Sequence, residues 1–160
     1  IATAAAHPER VIGIHFFNPA ARMPLIEVVP GAATSAATVD AVRLFAAALE
    51  KNAVVVRESP GFVLNRILIP MINEAICALD QGVADRAGID TVMKFGANHP
   101  MGPLALADLI GLDVVLSVME NLEKGLGDQK YRPSPLLRRM VAEGRLGRKT
   151  GRGFYEYPRK

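Results

Sequence analysis

With 160 residues, half of them hydrophobic and 22% charged, the chain is long enough for one domain or two small ones, and too apolar for wholesale disorder. Its one cysteine, Cys77, excludes an intramolecular disulfide and is read as a small buried hydrophobe in a reducing, cytoplasmic compartment. The net charge of +3 is not spread evenly, and no apolar run reaches the ~18 residues that crossing a bilayer requires, so neither membrane insertion nor secretion is expected.

In chain order, IATAAAHPER reads as the tail of an element whose start lies upstream, so a fragment is expected. RVIGIHFF and PLIEVVPG are short, partly β-branched runs and predict two strands, the second closed by Pro30 and Gly31. From Ser35 the apolar residues Val39, Val42, Leu44, Phe45 and Leu49 recur at helical spacing to about Lys51, and AVVVRES predicts a third strand. Beyond SPGF the pattern turns helical. A long helix is expected from about Gly61 to Gln81, with Pro60 near its start and Gly82 as its stop. A short helix follows in AGIDTVMKFGAN with Asp90 near its beginning, then one or two in GPLALADLIGLDVVLSVMENLEKG, and another from Ser134 to Gly144. The closing GRKTGRGFYEYPRK is expected to end in a short aromatic extended piece. The fold class is therefore α/β over residues 1–59 and nearly all α over 60–160.

Lys130, Arg132, Arg138, Arg139, Arg145, Arg148, Lys149, Arg152, Arg159 and Lys160 face only Glu143 and Glu156 over the last 31 residues. Such a tail suits an anionic partner. Its aromatics cluster in GFYEY rather than spreading over a basic face, so no nucleic-acid partner is expected. No metal-ligand spacing occurs, and GRLGRKTGRGF matches neither a Walker A loop nor a strand-led G-x-G-x-x-G.

His7 and His99 sit in loop-like stretches and read as ordinary loop imidazoles. His15 ends a strand and is followed by Phe16, Phe17 and the turn signal Asn18-Pro19, where an α/β sheet presents side chains to a crevice; a satisfied core histidine is the competing reading. Twelve residues on, Glu27 stands between Leu25, Ile26, Val28 and Val29, where a carboxylate must face solvent or be partnered. Paired with His15 from the adjoining strand, it would fix the imidazole's tautomer and make a base with its orienter. Asn65 interrupts an apolar helix start, either as a local hydrogen-bonding amide or as a functional one.

GIHFFNPAARMPLIEVVPG, VVVRESPGFVLNRILIPMINEAICALDQGVA, GIDTVMKFGANHPMGPLALADLIGLDV and GRLGRKTGRGFYEY, in this order, resemble the L-3-hydroxyacyl-CoA dehydrogenase family. The resemblance implies the C-terminal part of a Rossmann-like NAD-binding domain over 1–59 and the family's helical domain, for substrate binding and homodimerisation, over 60–160. It implies NAD-dependent oxidation of (S)-3-hydroxyacyl-CoA, a step of fatty-acid β-oxidation. His15 is then the catalytic base, Glu27 its partner, Asn65 a substrate-binding amide, and Asn18 and Lys149 cofactor-binding residues. The family's glycine-rich turn, ribose-binding acid and active-site serine fall upstream, so the 160 residues alone are expected to be inactive. A sugar-acid (gulonate) dehydrogenase of the same superfamily and a non-catalytic dimerisation module are the rival readings.

Overall fold

The computed structural model describes residues 2–158, in two compact units, Ile1–Phe62 and Val63–Lys160.

In the first unit, β1 (Ile12–Phe16), β2 (Leu25–Pro30) and β3 (Asn52–Val55) form a sheet in the order β1-β2-β3. β1 runs antiparallel to β2, and β2 parallel to β3. The parallel pair needs a crossover, which α1 (Ala36–Ala48) supplies. Ser35 caps that helix, its hydroxyl accepting from the Thr38 N–H at 3.2 Å. The central strand β2 is the most apolar and the most buried, and its Ile26 and Val28 form a small core with Ala46 of α1. β3 ends at Val55, shorter than the run AVVVRES suggests.

In the second unit, α2 (Leu64–Asp80), α3 (Arg86–Gly96), α4 (Pro103–Ile110), α5 (Leu112–Leu126) and α6 (Pro135–Ala142) enclose one core. Ile69, Ile72 and Ile76 line one face of α2 and meet Leu104, Leu112, Val115, Met119, Leu122, Leu137 and Met140. Full burial of each such side chain is worth about 1.5–3 kcal/mol. α4 and α5 are separate helices because Gly111 adopts φ +105°, which breaks the ladder at a position a side chain would strain. Gly127, at φ +65°, ends α5 in the left-handed conformation expected of a helix stop. Asn73, buried on α2, ties down the segment before α6 by accepting from the Ser134 N–H at 2.8 Å and donating to the Arg132 carbonyl at 3.2 Å.

Several expectations need correction. The long helix begins at Leu64, three residues after Gly61, because Gly61 and Phe62 both have positive φ and cannot continue a right-handed turn. Asp90 does not start a helix. Asp85 caps α3, accepting from Gly88 N at 2.7 Å, and Asp90 is buried in mid-helix, where it accepts from Leu104 N at 2.8 Å and Ala105 N at 3.0 Å. It thereby supplies from a distance the cap that Gly102 cannot give α4. Among the described residues the terminal aromatic segment forms the isolated bridges Gly147↔Arg152 and Arg152↔Glu156 rather than a strand, and Cys77 is half-buried rather than sealed.

Asp108 is the main carboxylate anchor of the terminal segment, beside Arg86 and Arg145, which donate to the Phe154 and Gly153 carbonyls. It accepts from Phe154 N and Tyr155 N, each at 2.9 Å, and from the Tyr157 hydroxyl at 3.0 Å. Burial pushes its carboxyl above the ordinary carboxylate range, against the pull of those hydrogen bonds and of Arg145. Over the described residues the basic tail is also less basic in space than in sequence, Arg159 and Lys160 lying outside them: Lys130 pairs with Asp128, Arg132 with Glu123, Arg138 with Glu120, Arg139 with Asp80, Arg145 with Glu143 and Lys149 with Asp113.

Candidate active site

His15 and Glu27 are directly opposed in the antiparallel β1–β2 register. That register puts their side chains on one face, within reach of each other. Nδ1 of His15 lies 2.8 Å from Oε2 of Glu27. A carboxylate can only accept, so Nδ1 carries the proton and Nε2 is left with the lone pair. The Glu27 side chain is 4% exposed and that of His15 31%. The partner is thus shut away while the imidazole remains accessible, which is the arrangement required of a base whose orienter must not exchange with solvent.

Two aromatic rings fix the imidazole further. Phe17, buried, meets it edge-on with centroids 4.8 Å apart, and Phe62 lies at 5.5 Å, tilted by 49°. Phe62 has φ +48°, directly after Gly61 at +73°. A bulky residue in that region is held there by its surroundings at a cost of order 1–3 kcal/mol. The sequence carried a trace of this in the Pro-Gly before Phe62, which signals a turn, but nothing in it aimed that ring at His15.

Asn18 lies in the bend after β1, exposed, three residues beyond His15 in the same unit. Asn65 is the second residue of α2, half-buried in the helical unit. Lys149 sits in the same unit, in a single turn of 3-10 helix over Arg148–Thr150, and its ammonium donates to Oδ2 of Asp113 at 2.6 Å. That hydrogen bond holds the Asp113 carboxyl below the usual carboxylate range. His7 pairs with Glu9 at the surface, and His99 lies in the loop after α3. Among the described residues no group of three or more His, Cys, Asp or Glu could hold a metal ion, and no helix is long and apolar enough to cross a membrane.

Residues 1–59 match the NAD binding domain of 3-hydroxyacyl-CoA dehydrogenase, and residues 61–157 match the C-terminal domain of the same family. The chain belongs to the 3-hydroxyacyl-CoA dehydrogenase family. It is 58% identical, over its whole length, to a probable 3-hydroxybutyryl-CoA dehydrogenase of Bacillus subtilis, covering 56% of that protein. Over 98% of its length it is 42% identical to the mitochondrial hydroxyacyl-coenzyme A dehydrogenase of Homo sapiens, covering 50% of it. The crystal structure of (S)-3-hydroxybutyryl-CoA dehydrogenase from Ralstonia eutropha superposes with a TM-score of 0.96 at 54% identity, over 99% of this chain and 56% of that one. The chain thus spans about half the length of the relatives it matches. None of these matches favours the sugar-acid dehydrogenase or the non-catalytic module.

The residues present suit part of a 3-hydroxyacyl-CoA dehydrogenase's NAD site. Within the helical unit, Gly111 leaves a cradle in which a Cβ would lie 3.1 Å from the Lys149 ammonium, a cation of the kind that suits an anionic dinucleotide. A glycine-rich phosphate turn is not among these 160 residues.

Proposed function

We propose that this chain is the C-terminal part of an NAD-dependent enzyme that oxidises (S)-3-hydroxyacyl-CoA to 3-oxoacyl-CoA and catalyses the reverse reduction. The observation that carries the reading is the buried Glu27 carboxylate bonded at 2.8 Å to a half-exposed His15. In the oxidation, Nε2 of His15 takes the proton of the 3-hydroxyl as hydride leaves C3, and the C3–O bond becomes a carbonyl. NAD, when bound, is the hydride acceptor and leaves as NADH. Glu27 holds Nδ1–H in place and stabilises the imidazolium that forms. Asn65 offers an amide to the substrate's oxygens, where negative charge gathers, and Asn18 and Lys149 bind the cofactor. In this reading residues 1–59 complete the NAD-binding domain and 60–160 bind the acyl-CoA.

A homodimer through the helical unit belongs to the same proposal. Its support is the exposure of Ile67, Val83, Val92 and Phe95, large apolar residues that a lone unit would leave in water. The single cysteine supports a cytoplasmic location. Changing His15→Gln in a full-length polypeptide carrying this sequence tests the central claim. Turnover of 3-oxobutyryl-CoA with NADH is expected to fall by about 10²–10⁴-fold with the melting temperature little changed; turnover near wild type would refute the assignment.

A further inference from the structure

Lys149 and Asp113 form an ion pair with features a surface ion pair has no need of. Both side chains are partly exposed, and a pair in that setting contributes little to stability. Yet the ammonium reaches both carboxylate oxygens, 2.6 Å from Oδ2 and 2.5 Å from Oδ1, and Oδ1 is sealed from solvent. Asp113 stands in the first turn of α5, where the helix dipole favours a fixed negative charge. Directly before that helix, Gly111 has φ +105°, and any Cβ there would crowd Oδ1 of Asp113 and both Cε and Nζ of Lys149 at 3.0–3.3 Å. A side chain at this position would push the ammonium aside. Lys149 also lines an open concavity of about 820 Å³ together with Leu109, Arg148, Thr150, Gly151 and Tyr157. The ammonium is therefore fixed from one side and accessible from the other.

We propose that Asp113 is a positioning residue for cofactor binding: it holds the Lys149 ammonium at the rim of this concavity before the dinucleotide arrives. The inference rests on the reading of Lys149 as a cofactor-binding residue. A lysine has four rotatable bonds, and immobilising it only at the moment of binding costs about tenfold in affinity. Asp113 removes most of that cost in the free protein. Simple charge counting gives the opposite expectation, because Asp113 is negative like the dinucleotide and its removal would strengthen binding. The sign of the effect separates the two.

The experiment measures NADH dissociation constants by fluorescence titration, and steady-state kinetics alongside, in a full-length polypeptide carrying this sequence with Asp113→Asn, Asp113→Glu, Lys149→Met and the double change Asp113→Asn with Lys149→Met. Asp113→Asn is expected to raise the NADH dissociation constant and KM by roughly five- to twentyfold, with kcat at saturating NADH changed less than twofold. Asp113→Glu should recover most of the loss, and Asp113→Asn should add nothing once Lys149 is methionine. If Lys149→Met leaves NADH binding unchanged, the reading of Lys149 fails and this inference with it. If Lys149→Met weakens binding but Asp113→Asn leaves it unchanged or tightens it, Lys149 stands and the positioning role of Asp113 is overturned. A loss in Asp113→Asn that Asp113→Glu does not recover also overturns it, as damage to the start of α5.

Discussion

Replacing Glu27 by Gln tests the least replaceable part of the site. The two side chains have the same shape, so the change removes a charge and leaves the packing of β2 intact. In the wild type the carboxylate accepts from Nδ1 at 2.8 Å in a place where water does not compete. A hydrogen bond to a charged group is worth about 1.5–3 kcal/mol. The share that lowers the barrier is the share that grows as His15 becomes imidazolium. If most of it grows, kcat falls by about 10- to 150-fold, at 1.36 kcal/mol per decade. Gln can still accept from Nδ1 through its oxygen, but its NH2 group then needs a partner in a buried spot, so a stability loss of about 1–3 kcal/mol is also expected. The assay is NADH oxidation with 3-oxobutyryl-CoA at saturation in the full-length protein, run for Glu27→Gln, His15→Gln and the double change. Coupling is the decisive quantity: with His15 gone, Glu27→Gln should cost nothing further. A kcat within twofold of wild type, or a Glu27→Gln effect that persists undiminished without His15, would refute the orienting role.

Gly102→Ala should destabilise the helical unit by about 2–4 kcal/mol, seen as a lower urea midpoint, because the new methyl would overlap the buried Asp90 carboxyl that caps α4. Asp108→Asn should cost about 2–3 kcal/mol at neutral pH, since an amide cannot accept from both Phe154 N and Tyr155 N as the two carboxylate oxygens do. This effect has a pH dependence of known sign. Asp108 has its folded pKa raised, so the folded state binds more protons than the unfolded state between the ordinary carboxylate value of 3.8 and that raised value. Wild-type stability from this group therefore improves as pH falls through the window, and urea melts should show the gap to Asp108→Asn widening on acidification. The 160-residue chain by itself should fold its helical unit, giving a cooperative melt, yet consume NADH at a negligible rate; robust turnover by the isolated chain would sink the claim that the phosphate-binding turn must come from elsewhere.

The pairing of His15 with Glu27 was within reach of the sequence, though twelve-residue spacing alone proves no contact, because the constraints on it are local. A strand ending at Asn18-Pro19, a return strand closed by Pro30-Gly31 and a carboxylate flanked by aliphatics leave few registers, and a shift by one residue would turn Glu27 to the opposite face of β2. The helices were legible for the same reason, through apolar spacing and through Ser35, Gly82 and Gly144 at their ends. Asp90 was misplaced because an acidic residue near a helix start ordinarily caps its own helix, whereas this one caps a helix whose first free N–H groups lie 14 and 15 residues away. Asp113 and Lys149, 36 residues apart, and Asp108 with its partners 46 to 49 residues away leave no periodic trace at all. Such pairings depend on how the helices pack, and one-dimensional patterning does not encode that.

The four acidic residues at issue separate by what they bond. Asp90 and Asp108 are almost wholly buried, and both take backbone N–H groups as principal partners, with tyrosine hydroxyls completing the set. A carboxylate satisfied by main chain from another segment joins two elements, and it cannot move without releasing both; its loss is felt as stability. Glu27 and Asp113 each also hold a cationic or protonatable side chain, His15 and Lys149, and in both cases the held group is partly exposed while at least one carboxylate oxygen is sealed. An acid so placed fixes the direction of a group that faces solvent, which is where a substrate or cofactor must come from. Substitutions at Asp90 and Asp108 should therefore move melting and leave the kinetics of whatever still folds intact, while those at Glu27 and Asp113 should move kcat and cofactor affinity, with melting also lowered at the buried Glu27. A variant at Asp108 that folded normally but lost cofactor binding would break that division.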